Sequence, residues 1–158
     1  MTIKIRPADE SDVYWICTQL KKFSDFYNSK YPLYDDPDFA AKRVGELVDF
    51  HYARIAYQET KHPLVVKALT TRLGFLCGLL TPHYLNPNIN TLSEVFWWTD
   101  PDHRRKGISS LLMDDYIEFG KENAQWITFT TFHKTGVDDS YFLDRGFKLQ
   151  EKTYLIEV

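Results

Sequence analysis

Ser93-Glu-Val-Phe-Trp-Trp-Thr-Asp-Pro-Asp-His-Arg-Arg-Lys-Gly-Ile-Ser-Ser-Leu-Leu112 reads as a strand, a short basic turn and the start of a helix. Glu94 to Thr99 is rich in β-branched and aromatic residues, the composition of a buried strand. Asp100-Pro101-Asp102 is turn chemistry. From Gly107 an apolar stripe at helical spacing begins, made of Ile108, Leu111, Leu112, Tyr116 and Phe119. Arg104 to Ser109 therefore sit where a loop feeds a helix N-terminus. Such a place offers unpaired backbone N–H groups and the positive end of a dipole, which together suit a phosphate. Arg104, Arg105 and Lys106 add mobile positive charge, and Gly107 lets the backbone approach a ligand closely. A solvated basic turn before an ordinary helix is the alternative reading of these residues.

Working outward, Thr2 to Arg6 alternates Ile3 and Ile5 with polar residues and predicts a first strand. Pro7 to Asp12 stops it and starts an acid-capped helix whose inner face is Val13, Ile16, Cys17, Leu20 and Phe23. A polar and aromatic connector follows from Ser24 to Asp38. Asp36-Pro37 then reads as an N-cap and first helical position of a second helix running to about Phe50, with Ala40, Val44 and Leu47 inward. His51 to Tyr57 is either a strand or that helix continued. Leu64 to Leu69 and Leu73 to Leu80 predict a hairpin turning at Thr70-Thr71-Arg72, its second run buried on both faces. Asn86 to Asn90 is a turn cluster. Beyond the helix from Gly107 to about Asn123, Trp126 to Phe132 is strand-like, Asp139 to Asp144 is a short helix with Gly146 as its C-cap, and Lys148 to Val158 offers a last strand. Helix and strand pieces interleave throughout, which predicts an α/β or α+β sheet with helices on both faces.

The chain has 158 residues, enough for a single domain, 1–158, with its own core. A hydrophobic fraction of 44% excludes a disordered chain, and an aromatic fraction of 16% points to an aromatic-rich core or site. A net charge of −3 gives no electrostatic case for nucleic acid or an anionic membrane. No apolar run reaches membrane-spanning length, and Met1 to Arg6 has no signal-peptide core. Cys17 and Cys77 are isolated and lack metal-ligand spacing, so they read as reduced core residues of a cytoplasmic protein with no metal site.

Arg104-Arg-Lys-Gly-Ile-Ser109 resembles the Arg/Gln-x-x-Gly-x-Gly/Ala loop of the GNAT superfamily of acetyl-CoA-dependent N-acyltransferases, with Ser109 as the second small residue. Thr99-Asp-Pro-Asp-His103 is similar to that family's strand end, and Ile5-Arg-Pro-Ala-Asp-Glu-Ser-Asp-Val13 to the way many of its chains begin. Phe96 to Gly107 also resembles short acetyltransferase-like proteins of bacteriophages. The resemblance implies a mixed, mostly antiparallel central sheet with two splayed parallel strands and helices on both faces. It implies acetyl-CoA as cosubstrate, with its pyrophosphate on Arg104, Arg105, Lys106, Gly107, Ile108 and Ser109. The pantetheine would lie beside Trp98 and Thr99, pairing with backbone like an added strand. The segment joining the first two helices would line an acceptor site, so Phe26, Tyr27, Tyr31 and Tyr34 either shape that pocket or pack the loop.

The implied reaction is attack by a neutral primary amine of a small molecule or protein, which needs a base, an oxyanion donor and a way for the thiolate to leave. Many relatives carry a glutamate eight residues before the loop's first Arg/Gln; here that position is Phe96. Glu94 stands two residues earlier and is expected on the strand face of Phe96 and Trp98. Glu94 is the candidate base, with His133 the second candidate. The family's Tyr-x-x-x-Gly-Phe ending is similar to Ser140-Tyr-Phe-Leu-Asp-Arg-Gly-Phe147, but Phe142 occupies the tyrosine's place and Tyr141 precedes it. Tyr141 is the candidate acid, displaced by roughly 100° around a helix; otherwise the thiol leaves without one. Phe96 and Phe142 keep a second reading open, a non-catalytic module that binds CoA or works through protein contacts. A homodimer is also compatible with the resemblance.

Overall fold

The computed structural model describes residues 2–27, 34–60, 69–131 and 135–150. Among these residues five strands form one sheet in the order β1 (Ile3–Pro7), β2 (Tyr52–Thr60), β3 (Leu69–His83), β4 (Asn86–Thr99) and β5 (Trp126–Thr128). The first four pair antiparallel and β4 pairs parallel with β5. This is the mixed, mostly antiparallel sheet that the resemblance implies.

Helices cover both faces. α1 (Glu10–Tyr27) and α2 (Pro37–Phe50) bury Ile16, Cys17, Leu20, Val44 and Leu47 against Ala53, Ile55, Phe75, Cys77 and Trp98 on one face. On the other, α3 (Ile108–Asn123) buries Ile108, Leu112, Met113 and Tyr116 against Tyr52, Ala56, Leu73, Leu76 and Leu92. β3 feeds both layers, so Leu73 to Gly78 is buried without a break, as its continuous apolar run requires. α2 begins as its sequence predicts: the Asp36 carboxylate accepts from the Asp38 and Phe39 N–H groups, and Pro37 follows it. On α3, Met113 is buried and Leu111 is exposed. At 100° per residue Leu111 falls roughly 130° from the centre of the buried arc.

Asp12, fully buried at the start of α1, ties three elements together. Its carboxylate accepts from Arg6 of β1 at 2.6 and 2.8 Å and from Arg72 of β3 at 2.6 Å. Burial alone would raise its pKa; the hydrogen bonds from Arg6, the Asp9 N–H and Arg72 outweigh that and hold it below the usual carboxylate value.

Three expectations are corrected. Thr70-Thr71-Arg72 is no turn: these residues lie within β3, opposite Gln58 and Tyr57 of β2. Threonine is a strand former, and the stretch has neither glycine nor proline to reverse the chain. Asn86 to Asn90 is likewise strand, and the reversal falls at Tyr84-Leu85, both exposed. β5 ends at Thr128 rather than Phe132, because its pairing with β4 ends there. His51 to Tyr57 resolves as strand from Tyr52 onward. A four-residue helix, α4 (Ser140–Leu143), stands where a short one was expected, and Gly146 follows it at φ 86°. The run 64–68 and the last strand's Tyr154, Ile156 and Val158 lie outside the described residues. No helix among the described residues is long and apolar enough to cross a membrane.

Candidate functional site

The site is organised by the parting of β4 and β5. Thr91, Leu92 and Ser93 pair with Trp126, Ile127 and Thr128, and the two strands then separate. Tyr116 of α3 sits at the fork, its hydroxyl 3.0 Å from both the Leu92 and Thr128 carbonyl oxygens, so one proton serves both. Its ring reaches this point because Gly78 of β3 has no Cβ; one there would lie 2.9 Å from Tyr116 Cε2. Beyond the fork opens a cleft of about 710 Å³. One wall is β4 from Glu94 to Thr99, and the other includes Thr130 and Thr131. Leu20, Phe23 and Phe26 of α1 close one side, and the loop from Arg104 to Ser110 closes the end.

The loop has the backbone geometry that an anion cradle requires. Gly107 (φ 74°) caps α3 in the left-handed region, and Arg105 (φ 65°) adopts that region too, the one non-glycine among the described residues to do so. Holding a non-glycine there costs about 1–3 kcal/mol and is retained where the surroundings over-determine it. Closely spaced left-handed residues turn backbone N–H groups toward one concavity. No side chain caps α3, so its first turn presents N–H groups and the positive dipole end to the cleft. Thr99 Oγ1 and Ser109 Oγ are 2.9 Å apart, joining strand end to helix start. Behind them Asp100 accepts from Lys22 at 2.9 Å and from the Asp102 N–H at 3.2 Å. Burial would raise that carboxyl, and these hydrogen bonds, Lys22 first, hold it low instead. Two arginines, a helix N-terminus and a free strand flank suit a diphosphate with an extended, amide-bearing arm. The residues present therefore fit a CoA-type ligand.

Trp98, Thr99, Arg104, Arg105, Gly107, Ile108 and Ser109 all line the cleft. Lys106 does not; its Nζ lies 3.4 Å from His103 Nδ1. Glu94 also lines it, but not on the face expected. Gly78 of β3 faces Glu94, and the next residue, Cys77, faces Phe96, so Val95 is an extra residue in β4. This bulge reverses the alternation. Phe96 and Trp98 pack toward α1, whereas Glu94 shares the α3 side with its partner Gly78 and Tyr116. There the half-buried carboxyl is pushed up to about 8, chiefly by desolvation, although it accepts a hydrogen bond from the Thr130 N–H across the cleft. A carboxyl so tuned takes up a proton near neutral pH.

Tyr141 is not part of the cleft wall. Its ring stacks on Trp97 (5.9 Å, 29°) under Arg145, and its hydroxyl donates to Ser110 Oγ at 3.3 Å, so it reaches the cleft through Ser110. Phe142 packs on Phe129 and Trp97. Phe26 lines the cleft as expected, Tyr27 stands beside Phe23, and Tyr34 packs on the α1–α2 core. Tyr31 and His133 lie outside the described residues. Sequence reasoning missed Thr130 and Thr131, which carry no motif, and took Phe23 for core alone.

The Acetyltransferase (GNAT) family model matches residues 20–137. No curated protein matches the chain. Among solved structures, a possible acetyltransferase from Clostridium difficile 630 superposes with a TM-score of 0.68 at 17% identity, over 100% of this chain and 99% of its own. Ribosomal-protein-alanine N-acetyltransferase from Brucella melitensis biovar Abortus 2308 gives 0.66 at 14% identity, with both chains covered 100%. A predicted acetyltransferase with acetyl-CoA from Clostridium acetobutylicum gives 0.67 at 15% identity, over 99% of this chain and 96% of that one. At these identities the likeness is one of fold.

Proposed function

The chain belongs to the GNAT acetyltransferase family, and on that premise we propose that it transfers an acetyl group from acetyl-CoA to a primary amine by direct attack. The observation that carries the proposal is the parting of β4 and β5, which puts the cradle of Arg104 to Ser110 and the carboxyl of Glu94 in one cleft. Acetyl-CoA supplies an activated acetyl carbonyl. Arg104, Arg105 and the N–H groups of the loop and first turn of α3 hold the pyrophosphate, and the flank of Trp98 and Thr99 takes the pantetheine by backbone pairing.

Glu94 is the base. The amine nitrogen forms the new C–N bond as the C–S bond breaks. The nitrogen's proton goes to Glu94, directly or through water, and the sulfur leaves with the electron pair and is protonated to the thiol. An acid is not required, since a thiol leaving group is tolerable near neutral pH; Tyr141 stands behind the wall, hydrogen-bonded to Ser110. A Glu94 carboxyl near 8 is matched to this work, being mostly protonated when idle and basic once charged. A small-molecule acceptor fits a cleft of about 710 Å³ closed on one side by Phe23 and Phe26.

Calorimetry with acetyl-CoA, followed by thiol release across a panel of amines, tests the proposal. No binding at high micromolar acetyl-CoA would sink it. Binding without thiol release from any amine would favour the non-catalytic module, the reading that Phe96 and Phe142 support.

A further inference from the structure

Arg104 is an exposed residue, yet its guanidinium rests against aromatic rings. Its guanidinium carbon lies 4.7 Å from the centre of the Trp98 ring and 5.9 Å from that of Phe26, and its Nε donates to the Thr99 carbonyl at 3.4 Å. Among the described residues no carboxylate forms an ion pair with it. Phe23 packs edge-on to Trp98 at 5.7 Å, and Phe26 stands tilted at 6.3 Å from the same indole. The indole is fixed: its Nε1 donates to Gln19 Oε1 at 3.1 Å, and both residues are buried. Two rings thus face one cation that lines the cleft, and a third packs behind the indole.

The cation held there is the one assigned to the pyrophosphate. A guanidinium that turns to a diphosphate gains charge-assisted hydrogen bonds worth more than its ring contacts. Its departure uncovers the faces of Trp98 and Phe26 and frees the Thr99 carbonyl. We propose that Phe26 and Trp98, with Phe23 packed behind the indole, form a cation subsite for the acceptor, plugged by Arg104 until the cofactor draws that arginine away. The proposal rests on the acetyl-transfer reading and names the acceptor's class. The nitrogen that attacks must be uncharged, so the cation in the box is a second nitrogen of the same molecule. Glu94 and Trp98 are four residues apart along a bulged strand and on opposite faces of it, so the along-strand rise of about 10–13 Å, at roughly 3.3 Å per residue, is the least that the acceptor must span. The acceptor is therefore a long diamine or polyamine, reacting at one end and held at the other. Cofactor binds first and acceptor second.

Calorimetry with the eight-carbon terminal diamine and with 1-octanol, an uncharged counterpart, tests this. With saturating CoA the diamine should bind about threefold to thirtyfold more tightly than the alcohol, the range of a cation–π contact. Without CoA the wild type should show no such preference. Arg104→Gln, which removes the plug, should show it without CoA. Phe26→Leu, a change near the exposed end of α1, should lower the preference several-fold with CoA bound. No preference with CoA, or a preference in the CoA-free wild type that Arg104→Gln leaves unaltered, overturns the inference. Acetylation of the diamine and of octylamine, which has no second nitrogen to fill the subsite, with equal kcat/KM also sinks the subsite and leaves the acetyl-transfer reading standing. Absence of CoA binding sinks that reading instead, and the Arg104→Gln arm, which needs no cofactor, still decides the box.

Discussion

Replacing Glu94 by glutamine keeps the side chain's size and its hydrogen bond to the Thr130 N–H while removing the proton acceptor. The carboxyl is raised from 4.5 to about 8, so at pH 7 roughly one molecule in ten carries the charge. Wild-type kcat/KM should climb about tenfold from pH 7 toward a plateau beyond pH 8. Glu94→Gln should lose that limb and fall at least about 100-fold on the plateau, the usual worth of a positioned base. A weakly basic amine, already uncharged at pH 6, keeps the acceptor's own titration out of the profile. The same group predicts a stability change of definite sign. Its pKa is raised on folding, so the folded chain holds the proton more tightly and stability falls as pH rises through about 8. At about 1.4 kcal/mol per pH unit, denaturant unfolding should find the wild type losing up to about 3 kcal/mol between pH 6 and pH 9, and Glu94→Gln losing none of it. A variant that keeps the pH limb, or drops less than tenfold in rate, refutes Glu94 as base. A variant with the wild-type slope of stability against pH refutes the desolvated carboxyl itself.

Reversing both charges in Arg104→Glu/Arg105→Glu should weaken CoA binding about 100-fold or more, since each charge-assisted hydrogen bond contributes about 1.5–3 kcal/mol; a change below threefold in calorimetry would move the pyrophosphate elsewhere. Asp12→Ala leaves Arg6 and Arg72 without the carboxylate they share and should destabilise by about 3–5 kcal/mol in urea unfolding. Because the Asp12 pKa is lowered on folding, its contribution is present above the unfolded value and should fade only on acidification below about pH 4. Gly78→Ala drives a methyl against Tyr116 and the Ser93 carbonyl and should lower stability by about 1–3 kcal/mol, with acetyl transfer falling as the fork shifts. Tyr141→Phe should change kcat by less than about threefold; a hundredfold loss would restore Tyr141 as the acid.

The strand–turn–helix of Ser93 to Leu112 was legible because three separate signals coincide there: β-branched and aromatic composition, Asp-Pro-Asp, and a glycine before a helical stripe. Of the residues expected to hold the cosubstrate, all but Lys106 line one cleft. The hairpin at Thr70 to Arg72 was misplaced because β3 is long and interrupted by polar residues at the sheet's margin, where Arg72 serves Asp12 rather than a turn. The Asn86 to Asn90 cluster misled in the other direction, since asparagine's turn preference yields to pairing with β3. Glu94 was singled out by its chemistry and expected on the wrong face, because one extra residue in a strand leaves no trace in hydrophobic periodicity. The box around Arg104 was invisible for another reason. Phe23 and Phe26 meet Trp98 only through tertiary packing, more than 70 positions apart in the sequence.

Val95 also separates two properties of β4 that would otherwise be locked together. From Phe96 to Thr99 the strand takes its register from β3 independently of what precedes the bulge. Deleting Val95 would exchange the layer to which Glu94 is offered while Trp98, Thr99 and the loop beyond kept their places. The proposed base and the proposed cofactor grip can therefore drift separately under selection. A lineage with this fold can lose, relocate or regain its base by a single-codon insertion or deletion without surrendering its hold on the cosubstrate.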